Sequence, residues 1–298
     1  MKILAKTILV VLLGILQSID TNAQSISKEK LKKVDSIFSS HYHSTSPGGA
    51  LAIIQQGGVV FKKTIGLANV EYQIPISDTT VFNIASNSKQ MTTLLACMLQ
   101  EEGKLSFDDD VRSHLPELRT LPHKISIKQL TNHSHGLPNV DELAQLKGKE
   151  RMTHDEVLTM LFNNKQFNFK PGDDYQFNNT GYVLLSEIIA RVGKKTFQEQ
   201  LKEKIFDQLG MRHSQAIGDY NRVIPNKAYS YAVTTNGITN NPVKISTMGA
   251  SGVYASLNDL IVWAQEFTKN DTKNQQYLKL MQKETILNTN KSIAYGMG

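Results

Sequence analysis

Apolar and polar residues alternate along the chain with periods that mark its elements. From Ser27 to His41, Leu31, Val34, Ile37 and Phe38 recur on one face of a helix. The stretch ALAIIQQGGVVFKKTIG then supplies two β-rich runs around Gly57-Gly58, the signal of an antiparallel hairpin. From Ser86 onward the period becomes helical, with Met91, Leu94, Leu95, Met98 and Leu99 on one stripe. Thr153-x-x-Glu156 and Thr196-x-x-Glu199 have capping-box spacing, and Gly103, Gly193 and Gly210 stand where helices should stop. Beyond about Asp219, the runs Lys227 to Thr235 and Lys244 to Tyr254 are rich in Val, Ile, Tyr and Thr and read as strands. Ser256-Leu257-Asn258-Asp259 then caps a helix carrying Leu260, Trp263, Ala264 and Phe267. This order predicts a mixed α/β chain of the α+β type: an antiparallel sheet flanked by helices (about 27–85 and 227–298) and a mainly helical part (about 86–226).

Composition adds export to this picture. With 298 residues, 40% of them hydrophobic and 20% charged, the chain has the makeup of a folded globular protein. Its first residues, MKILAKTILVVLLGILQSIDTNAQ, place Lys2 and Lys6 before an apolar run from Ile8 to Leu16, followed by the small-residue site Thr21-Asn22-Ala23. That is the pattern of a secretory signal cut after Ala23, so residues 24–298 are expected outside the cytoplasm, periplasmic or extracellular. The apolar run is shorter than the ~20 residues of a spanning helix, and no stable membrane span is expected after cleavage. A net charge of +6, spread without basic runs interleaved with aromatics, argues against a nucleic-acid partner. Cys97, the single cysteine, excludes an internal disulfide and falls on the buried side of its helix, where it reads as a packing thiol.

Candidate chemistry sits at Ser86-Asn87-Ser88-Lys89. The S-x-x-K pattern is weak by itself, because Ser25-Ile26-Ser27-Lys28 and Ser27-Lys28-Glu29-Lys30 match it too. The Ser86 copy differs in opening an apolar helix, and a spacing of three puts both side chains on one face. There an uncharged Lys89 amine could take the proton of the Ser86 hydroxyl, a poor nucleophile without a base. Burial and the positive helix end both disfavour the ammonium form, and the helix start offers the Ser86 N–H to a developing oxyanion. From these residues alone, an N-cap serine beside a solvated lysine is the favoured reading.

Longer segments carry more. SPGGALAIIQQGGVVFKKTIGLANVEYQIPISDTTVFNIASNSKQMT, LTNHSHGLPNV, KPGDDYQFNNTGYVLLSEIIARVGKKTF and MGASGVYASLNDLIVWAQEF, in that order, resemble the serine β-lactamase-like family. That family includes class C β-lactamases, D-alanyl-D-alanine carboxypeptidases and related esterases. The resemblance implies a β-lactamase/transpeptidase-like fold with the nucleophile helix at the junction of sheet and helical parts. It implies Ser86 as nucleophile, Lys89 as its base, and Asn179 as the asparagine of the Y-x-N motif that orients the lysine and the substrate amide. The implied reaction is acyl transfer through a covalent acyl-enzyme on Ser86. Substrates would be a β-lactam, a D-alanyl peptide of peptidoglycan or a small ester, with no cofactor and no metal. The pair His133-x-His135 invites a zinc reading but lacks a third ligand, and a loop role is expected.

Two departures stand out. Phe177 occupies the place of the motif tyrosine, whose phenol in the family is held to share proton transfer; Tyr175, two residues earlier, would lie ~6 to 7 Å along an extended segment. The family's YGMG-like segment, here Tyr295 to Gly298, is followed by a strand bearing K-T-G or H-x-G, and this sequence stops there. On that reading the fold is C-terminally incomplete, lacking its last strand and helix. Both departures motivate the rival expectation of a catalytically impaired, cell-wall-binding pseudoenzyme. A third reading, an exported domain whose Ser86 only caps a helix, is disfavoured by the chain-wide resemblance.

Overall fold

The first regular pairing is a hairpin in which β1 (Gly49–Gln55) runs antiparallel to β2 (Gly58–Ile65). The two-residue turn is Gln56-Gly57, one position earlier than the glycine pair suggests, because Gly58 already pairs with Gln55. Both turn residues have positive φ, +52° and +78°, which matches the twist of a tight hairpin and places a glycine at the second position. The structure is a computed structural model that describes residues 25–149, 151–219, 221–269 and 273–298. The signal reading at 1–23 lies outside the described residues. The chain forms two compact units, one through Phe38 and one from Ser39 onward. The helix α1 (Lys28–His41) begins in the first, as its periodicity predicts.

In the second unit the named strands among the described residues pair antiparallel, with isolated parallel bridges such as Val81 to Lys227 beside them. β3 (Leu67–Asn69) pairs with β4 (Ile74–Pro75), and β5 (Val81–Asn83) belongs to a three-stranded sheet ordered β5-β9-β6. Its other members are β6 (Gln215–Ala216) and β9 (Val253–Ser256), while β7 (Tyr231–Thr234) and β8 (Gly237–Asn240) form a separate hairpin. The run Lys244 to Tyr254 is therefore strand only at its end. Its middle turns back on itself, with Ala250 and Ser251 N–H both donating to Thr247 O and positive φ at Gly249 and Gly252. Backbone committed to a turn cannot also join a ladder.

The helical part begins with α2 (Ser88–Glu101), two residues after Ser86, which sits in a separate 3-10 turn over Ala85–Asn87. It continues through α3 (Val111–His114), α4 (Ile127–Thr131), α5 (Val140–Leu146), α6 (His154–Phe162), α7 (Thr180–Gly193) and α8 (Phe197–Leu201). α8 runs on through a π-turn at Lys202–Phe206 to Leu209. Thr153 and Thr196 each cap reciprocally with the glutamate three residues on. Gly193 does not supply the left-handed stop of α7; Lys194 does, at φ +54°. Gly193 is small for another reason, since a Cβ there would stand 2.0 Å from Gln200 Oε1. α9 (Leu257–Glu266) starts at the Ser256 cap and α10 (Lys273–Met281) follows. Among the described residues no helix is long and apolar enough to cross a membrane.

The core forms around α2 and α7. Met91, Leu94, Leu95 and Leu99 are fully buried, a contribution of roughly 6–12 kcal/mol for the four. Cys97 is buried as well, and burial pushes its thiol up to about 12, so it packs as an unreactive thiol. α2 also buries its polar side: Ser88, Lys89, Thr92 and Thr93 are inaccessible. Thr92 Oγ1 donates to Ser88 O and Gly249 O at 3.1 and 2.7 Å, which replaces the lost water.

Candidate active site

Ser86 is placed by a sharp turn between β5 and α2. Ala85, just before it, has φ +48°, a left-handed conformation that costs a non-glycine residue about 1–2 kcal/mol. Two contacts hold Ala85 there: its N–H donates to Asn83 Oδ1 at 2.9 Å, and its carbonyl accepts from Ser88 Oγ at 2.6 Å. Ser88 Oγ in turn accepts from Val253 N–H at 3.2 Å, tying the turn to β9. The result is a Ser86 side chain held at the surface over a lysine that is only 1% exposed.

Lys89 Nζ meets three acceptors. It donates to Ser86 Oγ at 3.1 Å, Asn179 Oδ1 at 2.9 Å and Ala250 O at 2.9 Å. Three acceptors match the three protons of an ammonium. A neutral amine has two, so the two carbonyl oxygens can hold both N–H groups and leave the lone pair facing the Ser86 hydroxyl. Burial pushes Lys89 down to about 8, against a smaller opposing pull from the Asp141 carboxylate. About a tenth of the molecules then carry the neutral amine at pH 7. Holding the lysine in this place costs on the order of 3 kcal/mol in its charged form, less than the four apolar side chains of the same helix return.

Each partner of Lys89 is itself fixed. Asn179, at the start of α7, donates through Nδ2 to Asp141 Oδ2 at 2.7 Å, which turns its Oδ1 toward the lysine. Its backbone N–H donates to Asn139 Oδ1 at 3.2 Å. Ala250 follows Gly249, whose φ of +89° and 2.3 Å approach of a would-be Cβ to Tyr182 O require glycine. α7 is anchored through Tyr182, whose hydroxyl donates to Thr131 O at 2.6 Å.

The sequence candidates therefore separate. Ser86, Lys89 and Asn179 come together. Phe177 joins them with its ring face: Lys89 Nζ lies 4.9 Å from the ring centroid, and the ring is 50% exposed. Tyr175 packs instead against His133, edge to face with centroids 6.1 Å apart, and against Tyr295, tilted with centroids 5.5 Å apart. His133 and His135 are buried neutral imidazoles, pushed down to about 3 and about 4 chiefly by desolvation. His135 Nδ1 accepts the Leu137 N–H at 3.0 Å, and His133 is packed among Phe177, Tyr182 and Tyr295. Among the described residues no cluster of three or more His, Cys, Asp or Glu could hold a metal ion.

Asp141, Asn139, Ala250 and Ser88 escape a sequence reading. Asp141 stands in the first turn of α5, where an acid is expected simply to oppose the helix dipole. The one signal that could have pointed to Asn139 and Asp141 is their position directly after the family-like segment LTNHSHGLP.

A lysine-backed serine ahead of a buried helix, with an asparagine from a second helix, is an arrangement chemically capable of acyl transfer. The chain belongs to the β-lactamase family: the family described as Beta-lactamase matches residues 34–297. It is 30% identical over 173 residues to protein flp of Staphylococcus aureus (strain MRSA252), which is 56% of this chain and 34% of that protein. Penicillin-binding protein 4* of Bacillus subtilis (strain 168) is 25% identical over 293 residues, covering 92% of this chain and 64% of the relative. The solved octameric penicillin-binding protein homologue from Pyrococcus abyssi superposes with a TM-score of 0.75 at 26% identity, covering 91% of this chain and 64% of that one. The chain thus spans about a third of the length of the first relative and less than two thirds of the other two.

Proposed function

We propose that this chain is an exported serine hydrolase that forms a covalent acyl-enzyme on Ser86. The observation that carries the reading is Lys89 Nζ at 3.1 Å from Ser86 Oγ, held by two fixed carbonyl oxygens and depressed to about 8. Neutral Lys89 takes the Ser86 proton as Oγ bonds to the carbonyl carbon of the substrate. The Ser86 backbone N–H, in the turn that opens α2, is the donor available to the developing oxyanion. Collapse of the adduct breaks the amide, lactam or ester bond, and the Lys89 ammonium returns the proton to the leaving group. Water then releases the acyl group. Substrates are of the β-lactam, D-alanyl peptide or small-ester class. Membership of a hydrolase family, with relatives named as penicillin-binding proteins, supports that choice. Export rests on the charge and apolar pattern of residues 1–23.

Phe177 favours a second reading, a cell-wall-binding pseudoenzyme, because a phenyl ring beside Lys89 cannot carry a proton. Mass spectrometry of protein incubated with a labelled penicillin or a fluorophosphonate separates the two. An adduct on Ser86 that is absent from Ser86→Ala supports catalysis. Folded protein that stays unlabelled beside a reactive control sinks it, and an adduct that never turns over marks acylation without release.

A further inference from the structure

A cavity of about 510 Å³, lined by no residue of the Ser86 cluster, lies between α8 with its π-turn and the segment that carries β6. Its floor is apolar: Val81, Phe206, Ala216 and Ile217 line it, and all four are buried side chains. Its walls carry Lys202, Arg212, His213 and Arg222, with Glu199 as the acid among them.

The charges there are unevenly matched. Lys202 Nζ is taken by Asp207 at 2.7 Å, and the His213 ring lies 3.7 Å from Asp259. Glu199 is held by its own cap, accepting from the Thr196 N–H at 2.9 Å and hydroxyl at 2.7 Å. Arg212 and Arg222 have no ion-pair partner among the described residues. Lys202, Arg212 and Arg222 against the single carboxylate of Glu199 leave the lining net positive beside an apolar floor, a concave site that favours a negatively charged ligand.

We infer that this cavity is a second binding site, for a small amphiphilic anion: a carboxylate or phosphate head on Arg212 and Arg222, with an apolar group against Val81, Phe206 and Ile217. The cavity volume falls in the range that takes such molecules. None of its lining residues belongs to the Ser86 cluster, so the inference stands apart from the proposed hydrolase activity.

Ligand-observed NMR titration of the full chain tests it with 4-phenylbutyrate, phenyl phosphate, 4-phenylbutyramide and inorganic phosphate. One or both amphiphilic anions should bind, which of the two being read from the two arms. The neutral amide and inorganic phosphate should bind at least about tenfold more weakly. The double variant Arg212→Gln/Arg222→Gln, with an unchanged thermal midpoint and unchanged Ser86 labelling, should weaken the anions by a similar factor. The inference is overturned by no anion binding at about 10 mM, by equal binding of amide and carboxylate, or by full binding to the double variant. The amide comparison uses the unsubstituted protein and decides the matter even if the variant fails to fold.

Discussion

Replacing Asp141 by asparagine removes one negative charge from beside the Lys89 network while keeping the shape of the side chain that holds Asn179. Asp141 and Lys89 are joined through a single amide, by hydrogen bonds of 2.7 and 2.9 Å. Adding the width of that amide separates the two charges by roughly 7 Å, which gives an attraction of about 0.6 kcal/mol in bulk water and about 2.4 kcal/mol at an effective dielectric of ~20. Asp141 is half-buried, so the value lies between these limits. The carboxylate favours the ammonium form; without it, Lys89 loses its proton more readily, and its midpoint falls below about 8 by roughly 0.4 to 1.8 pH units. The assay is the rate of Ser86 labelling by a fluorophosphonate across the pH range from mildly acidic to alkaline. Unsubstituted protein should speed up with pH and level off above about 8. Asp141→Asn should level off at lower pH, with a lower plateau, because Asn179 is no longer held by a charged acceptor. A midpoint that stays in place or rises would refute the assignment of Lys89 as base under the control of Asp141.

Two further outcomes follow from the same geometry. Phe177→Tyr places a phenol beside Lys89 and should raise turnover of an ester or a β-lactam, within the ~10²–10⁴-fold that a positioned acid–base group supplies; steady-state rates equal to those of the unsubstituted protein would show that Phe177 is not limiting. Lys89 also sets a pH dependence of stability. The unfolded lysine keeps its proton up to about 10.5 and the folded one loses it near 8, so the unfolded state binds more protons between these values and stability rises with pH there. Comparing chemical unfolding of the unsubstituted protein and Lys89→Met, the difference should move in favour of the lysine form by up to about 3 kcal/mol from pH 7 to 10.5. A difference that is flat with pH would exclude the depressed lysine.

Local pattern was enough for the elements whose stability is local. The helical stripe from Met91 to Leu99 and the caps at Thr153, Thr196 and Ser256 are all in the structure, because periodicity and capping involve residues a few positions apart. The strand expected from Lys244 to Tyr254 failed for the opposite reason: β-rich composition cannot reveal that Gly249 must press against Tyr182 O and fold the backbone back. Spacing likewise put Ser86 and Lys89 on one face, yet left a helix cap as the favoured reading of those residues alone. What separates the two is burial of the lysine beneath Asn179, 90 residues away, and Ala250, 161 residues away, with Asp141 behind them. The sequence by itself determined which groups are candidates for reaction and the apolar stripe of the helix behind them, although it started that helix at Ser86 where the structure starts it at Ser88. Only the tertiary structure decided that Lys89 is stripped of water, because desolvation is a property of everything packed around a group and of no single stretch of chain.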